Sequence, residues 1–181
     1  MTVKLSPHFA DYELKCKCSR HKDKPLCNVS PRLLMLAEKV RDVLKFPMIV
    51  TSCCRCAEHN AEVGGETNSL HICTEVKAAR AMDFKTKGMT PCQSFSFIIR
   101  AWAGGGLNEL GGIGLYDTWL HIDTAKTDDG HLRVWDCRKK KTAEDSEIIG
   151  DLIEYLRPIE HLERTAAVIN RLCATLNEWR R

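Results

Sequence analysis

"TNSLHICTEVKAARAMDFK", Thr67–Lys85, and "GGIGLYDTWLHIDTA", Gly111–Ala125, each run into a hydrophobic, strand-like segment that carries His, Asp or both. Zinc in a hydrolase takes three protein ligands from His, Asp, Glu or Cys and leaves the fourth position to water. His71, Asp83 and His121 supply such a set, each next to a strand rigid enough to hold it. Spacing alone leaves a second reading open, because isolated His and Asp at strand ends are commonly satisfied polar groups.

Working outward, "ARAMDFK" (Ala79–Lys85) reads as the strand that carries Asp83. "GGIGLYD" and "WLHIDTA" read as a hairpin turning near Asp117–Thr118. Upstream, "SPRLLMLAEKVRDVLKF" places Leu33, Leu36, Ala37, Val40, Val43 and Leu44 on one helical face, with Ser30 as N-cap and Pro31 at the first helical position. Pro47 ends that helix, and "MIVTS" follows as a short buried strand of β-branched residues. Arg55–Ser69 is polar and glycine-bearing, which predicts a short helix and then a loop delivering His71 onto the next strand. "PCQSFSFIIRAWAGG" is a second amphipathic helix, with Phe95, Ile98, Ile99 and Trp102 on one face and Gly104–Gly106 as its stop. After Asp136 the basic run "RKKK" (Arg138–Lys141) reads as a linker to two helices split at Pro158. These elements predict an α+β fold, a small antiparallel sheet flanked by helices, over residues 1–137, with a helical C-terminal extension over 138–181.

The chain of 181 residues is 44% hydrophobic and 28% charged, enough to bury one sizeable core. Its net charge of +3 is spread along the chain, and no surface interleaves aromatic with basic residues, so a nucleic-acid partner is not expected. "MTVKLSPHFADYELK" is polar and broken by Pro7, and no apolar run reaches the length of a membrane span; cytoplasmic synthesis and no membrane insertion are expected. In that setting the ten cysteines read as reduced thiols or metal ligands before disulfides.

Thr51, Ser52, Arg55, His59, Asn60, Gly64, Gly65, Ser69 and His71, followed by Ala81, Asp83 and Phe84 and then Gly112, Gly114, Tyr116, His121 and Asp123, keep a shared order and spacing. This pattern, with the opening "FADYELKCKC" and the helix after Ser30, resembles the zinc D-Ala-D-Ala carboxypeptidase and murein endopeptidase family over about residues 8–136. Relatives of that family include VanX-type dipeptidases, phage endolysins and the non-catalytic hedgehog domain. The resemblance implies a hedgehog-like fold in which His71, Asp83 and His121 hold one Zn²⁺. Arg55 would face the substrate carboxylate or carbonyl oxygen, and Ser69 and Tyr116 would line the substrate site. Asp123, two residues from His121 on the same strand face, is the candidate general base; it could instead orient an imidazole or replace a ligand. The implied activity is hydrolysis of D-amino-acid-containing stem peptides of peptidoglycan or muropeptides. With no leader expected, the favoured setting is a phage or prophage lysis enzyme, released through a holin or carried in a virion; a recycling enzyme acting on cytoplasmic muropeptides is the alternative. The rival of another class is a zinc-stabilised binding module without turnover.

Two departures from the family pattern touch the site. His71 and Asp83 are twelve residues apart, which the resemblance reads as an insertion of five, and Ala79 stands where the family has glycine. If the insertion were helical, Glu75 would become an alternative oxygen ligand. Cys53 and Cys54 replace the Gly-Tyr expected before Arg55. Several other residues invite a separate reading. Cys16, Cys18, His21 and Cys27 have the content of a zinc knot but lack paired C-x-x-C knuckles, which favours free thiols. Cys53, Cys54 and Cys56 read as small buried hydrophobes, and a thiol nucleophile with His59 has no accompanying oxyanion-hole motif. His59 and Asn60 are expected to tie down the loop, and His131 and Trp135 to sit in the core or at the rim.

Overall fold

The computed structural model describes residues 2–128, 130–139 and Ile149. Apart from Arg138, Lys139 and Ile149 these belong to one compact unit, Met1–Cys137; the two helices expected around Pro158 lie outside the described residues.

Helix α1 (Asp11–Leu14) and a 3₁₀ turn (Ser19–His21) precede α2 (Pro31–Leu44). As the sequence predicts, Ser30 caps α2 by accepting the Leu33 N–H at 3.1 Å, and Pro31 fills the first turn, where no N–H is needed. Leu33, Leu36, Ala37, Val40 and Leu44 form its buried stripe, while Val43 is half-buried. The chain then gives β1 (Met48–Ser52), the short α3 (Ala57–Glu62) and β2 (Ala81–Thr86). Helix α4 (Pro91–Ala103) opens on a reciprocal cap between Thr90 and Gln93 and buries Phe95, Ile98 and Ile99; Trp102 is half-buried. Strands β3 (Gly112–Leu115) and β4 (Leu120–Asp123) follow as the expected hairpin, its turn closed by the Tyr116 N–H donating to the Trp119 carbonyl at 3.1 Å.

Among the described residues five strands form one sheet in the order β1-β2-β4-β3-β5, where β5 is Arg133–Asp136. Three ladders are antiparallel, but β3 pairs with β5 in parallel, so the sheet is mixed where an antiparallel one was expected. The reason is a nine-residue return from the end of β4, Thr124–Leu132, which brings the chain around to the free edge of β3.

Strand side chains alternate between faces. Met82, Phe84, Ile113, Leu115, Leu120 and Ile122 are fully buried on the face that packs against α2 and α4. Ala81, Asp83, Gly112, Gly114, His121, Asp123, Arg133 and Trp135 stand on the other face, paired across the ladders. One face is therefore the core and the other carries the polar groups.

Because Leu36 is completely enclosed, Leu36→Ala is expected to destabilise the chelator-treated protein by about 2–5 kcal/mol. Ile49→Ala, on an edge strand and 53% exposed, should change stability by about 0.5 kcal/mol or less. Urea denaturation of the two variants checks this difference.

Candidate metal centre

Asp83 and His121 sit directly opposite each other across the β2–β4 ladder, so their side chains meet without help from any loop. His71 is not on a strand, as the sequence had suggested; it lies in an irregular segment pinned to Arg55. The Arg55 N–H donates to the His71 carbonyl at 2.9 Å, and the Cys73 N–H donates to the Arg55 carbonyl at 2.9 Å. This clamp fixes the backbone on both sides of the imidazole.

The three donor atoms form a compact triangle. His71 Nε2 lies 3.2 Å from Asp83 Oδ1 and 3.3 Å from His121 Nδ1, and His121 Nδ1 lies 2.8 Å from Asp83 Oδ1. A tetrahedral zinc with bonds of about 2.0–2.1 Å has ligand–ligand edges of about 3.3 Å, so the triangle already has nearly the size such an ion requires. The tautomers agree. His71 Nδ1 is 2.9 Å from the Cys53 carbonyl, which can only accept, so the proton sits on Nδ1 and leaves the Nε2 lone pair facing the triangle. His121 Nε2 is 3.3 Å from Asp123 Oδ2, which likewise leaves Nδ1 as the donor atom.

Each carboxylate has its own arginine. Arg55 donates from one guanidinium nitrogen to Asp83 Oδ2 at 2.7 Å and from Nε to Ser52 Oγ at 2.7 Å, which leaves Asp83 Oδ1 alone facing the imidazoles. Arg133 donates to Asp123 Oδ1 at 2.6 Å, and the Ala125 N–H donates to the same oxygen at 2.8 Å. Asp123 lies against the cleft beside His121 yet is completely buried, with both oxygens engaged. Burial alone would raise the Asp83 pKa, but the His121 and His71 rings set against its Oδ1 hold its carboxyl well below the usual carboxylate range. Burial alone would lower the His121 pKa, yet Asp123 and then Asp83 push it up to about 9.

The triangle forms the floor of a cleft of about 500 Å³, lined also by Arg55, Glu66, Ser69, Tyr116, Trp119 and Trp135. Tyr116 stacks on Trp119 with ring centroids 4.7 Å apart, and its hydroxyl accepts from Trp135 Nε1 at 3.2 Å. Gly112 and Gly114 keep the floor open. A Cβ at Gly112 would overlap the Asp123 carboxylate, and one at Gly114 would overlap the Trp135 indole.

The residues between Cys73 and Ala79 stay away from this floor. Thr74 closes them into an outward turn, its N–H donating to the Lys77 carbonyl at 2.8 Å and its hydroxyl accepting from the Lys77 N–H at 2.9 Å. Glu75 is exposed and paired with Lys24 at 2.6 Å, so the structure brings Asp83, and not Glu75, to the imidazoles. Asn60 ties down the following loop by donating to the Glu66 carbonyl at 2.9 Å, whereas His59 pairs within its own helix, 3.6 Å from Glu62. Cys53, Cys54 and Cys56 are buried, and hydrogen bonding to Cys27 and its neighbours holds the Cys54 thiol above its ordinary pKa, the opposite of what a nucleophile needs. Arg133 was not picked out from the sequence. Its signal was the alternation in "LRVWD", which puts Arg133 and Trp135 on one strand face.

The family described as Peptidase M15 matches residues 7–123, so the chain belongs to the peptidase M15 family. No curated protein and no solved structure matches it.

Asp83→Ala is expected to remove the metal equivalent held by the triangle and Glu75→Ala to leave it in place, measured as the loss of one equivalent of bound metal after desalting relative to the parent protein. With its pKa pushed up to about 9, His121 is expected to carry a proton on Nδ1 at neutral pH in the metal-free protein, and metal binding at that nitrogen is expected to release it. Apparent affinity should rise about tenfold per pH unit up to about pH 9 and then level off. The sign reverses for the metal-free fold. A raised histidine pKa contributes stability below pH 6.5 that is lost as pH climbs through about 9. Calorimetric titrations in buffers of different ionisation enthalpy, with melts in chelator, read the two effects.

Proposed function

We propose that this member of the peptidase M15 family is a zinc-dependent peptidase that cuts peptide bonds in peptidoglycan stem peptides, at a bond involving a D-amino acid. The observation that carries the reading is the pre-sized triangle of His71 Nε2, Asp83 Oδ1 and His121 Nδ1 on the floor of an open cleft. A zinc ion held by those atoms supplies a polarised scissile carbonyl and a water whose pKa falls toward about 7.

The chain's own residues support that chemistry in separate ways. Arg55 keeps Asp83 turned so that a single oxygen faces the imidazoles. Ser69 and Tyr116 line the cleft and present hydroxyls to the polar backbone of a bound peptide. Asp123 has two candidate roles. As general base it would take a proton from water; as an orienting acceptor it holds the Nε2–H of His121 and so keeps Nδ1 free. Its complete burial and its bonds to Arg133 and Ala125 favour orientation. Glu66 is then the exposed carboxylate of the cleft wall. The engagement of Asp123 also favours one rival, a binding module of the same fold without turnover. Murein degradation by a phage or prophage lysis protein, delivered to the wall after cytoplasmic synthesis, is the setting this chemistry fits.

The deciding experiment is digestion of purified murein by the zinc-loaded protein, followed by mass spectrometry of the released muropeptides. New termini at one stem-peptide bond, absent with His121→Ala, are expected; intact murein would leave the binding-module reading. Asp123→Asn is expected to weaken zinc affinity about 10- to 100-fold while turnover at saturating zinc largely recovers. A variant that keeps tight zinc yet loses turnover about a hundredfold or more would assign Asp123 as the base instead.

A further inference from the structure

A second set of metal-binding side chains lies apart from the cleft. Cys16 and Cys18 follow α1, His21 ends the 3₁₀ turn, and Cys56 is the N-cap of α3, yet their ligand atoms all lie within 4.8 Å of one another. Cys16 Sγ is 3.5 Å from Cys18 Sγ, and Cys18 Sγ is 3.8 Å from Cys56 Sγ. Zinc–sulfur bonds of about 2.3 Å set a tetrahedral edge of about 3.8 Å, so these spacings fit thiolates around one ion.

Each sulfur also has amide donors aimed at it. The Cys56 N–H points at Cys16 Sγ at 3.4 Å, and the His59 N–H points at Cys56 Sγ at 3.4 Å. The backbone N–H groups of Arg20 and His21 point at Cys18 Sγ. A metal-bound thiolate is a stronger acceptor than a neutral thiol, so these amide donors stand where sulfur ligands of an ion would use them. Arg20 bonds both Cys18 and Glu62, adding a positive charge beside a cluster that three thiolates would leave negative even with a dication bound. Cys27, the fourth member suggested by sequence proximity, is elsewhere; its thiol donates to the Asp11 carbonyl at 3.6 Å.

We propose that Cys16, Cys18, His21 and Cys56 form a structural zinc site. Four protein ligands close the coordination shell and leave no position for substrate, which separates it in kind from the three-ligand triangle in the cleft. The ion would fasten the segment after α1 to the start of α3, one residue beyond Arg55, and so brace the backbone that carries this arginine. The site stands whether or not the cleft hydrolyses anything.

The test uses the full chain with His71→Ala and Asp83→Ala combined, which removes the cleft's ligands. That protein should retain one zinc after desalting, and its cobalt form should show a sulfur-to-cobalt charge-transfer band. Cys18→Ser added to the pair should abolish both, and alkylation of Cys16, Cys18 and Cys56 should be slow until a chelator is added. If the serine variant does not fold, the cobalt spectrum of the folded double variant decides alone. A double variant free of zinc and without the charge-transfer band would overturn the site, as would a disulfide among the three cysteines in freshly reduced protein.

Discussion

The ladder between β2 and β4 sets Asp83 opposite His121 and Ala81 opposite Asp123, and the rest of the molecule depends on that register. A slip of one residue would turn both groups into the apolar layer formed with α2 and α4, and would expose Met82, Phe84, Leu120 and Ile122 to water. Burying an unpaired carboxylate costs several kcal/mol, and exposing four large apolar side chains adds about 1.5–3 kcal/mol for each. The hydrophobic face thus enforces the polar one. Its packing, made by residues that touch no substrate, is what aligns the donor atoms.

Charge on the polar face is arranged in alternation. Arg55, Asp83, His121, Asp123 and Arg133 follow one another, each within hydrogen-bond reach of the next. Both carboxylates are restrained from outside by a guanidinium, so neither is free to swing away when the imidazoles lose or gain a proton. This accounts for how two carboxylates and two imidazoles are tolerated almost out of contact with solvent. It also means that the arginines act on the geometry of the centre even where they contact nothing in the cleft.

Much of this was legible beforehand because it is local. The N-cap and stripe of α2, the β-branched run of β1, the β3–β4 hairpin and the His71, Asp83, His121 set all follow from near neighbours in the chain. The rest required contacts between distant segments. Strand β5 is four half-buried residues, one of them an arginine, and becomes a strand only by pairing in parallel with β3. The partner of Cys16 and Cys18 proved to be Cys56 in place of the nearer Cys27, because α3 begins where the segment after α1 passes. His71 was expected on a strand, but its segment makes only an isolated bridge, between Arg55 and Ile72, among the described residues.

The outward turn at Thr74–Lys77 separates two kinds of distance. Its base is held shut, with the Arg80 N–H donating to the Leu70 carbonyl at 2.8 Å and the Ala79 N–H to the Asn28 carbonyl at 2.7 Å, while Val76 at its tip is almost wholly solvent-exposed. Lengthening such a closed loop costs little, about 0.6 kcal/mol for a doubling. The interval along the chain between His71 and Asp83 is accordingly an elastic quantity, whereas the interval between Asp83 and His121 through space is stiff. A signature written as a fixed count of residues between ligands tracks the elastic quantity, and chains with the same centre can fail it while differing by nothing but a surface bulge.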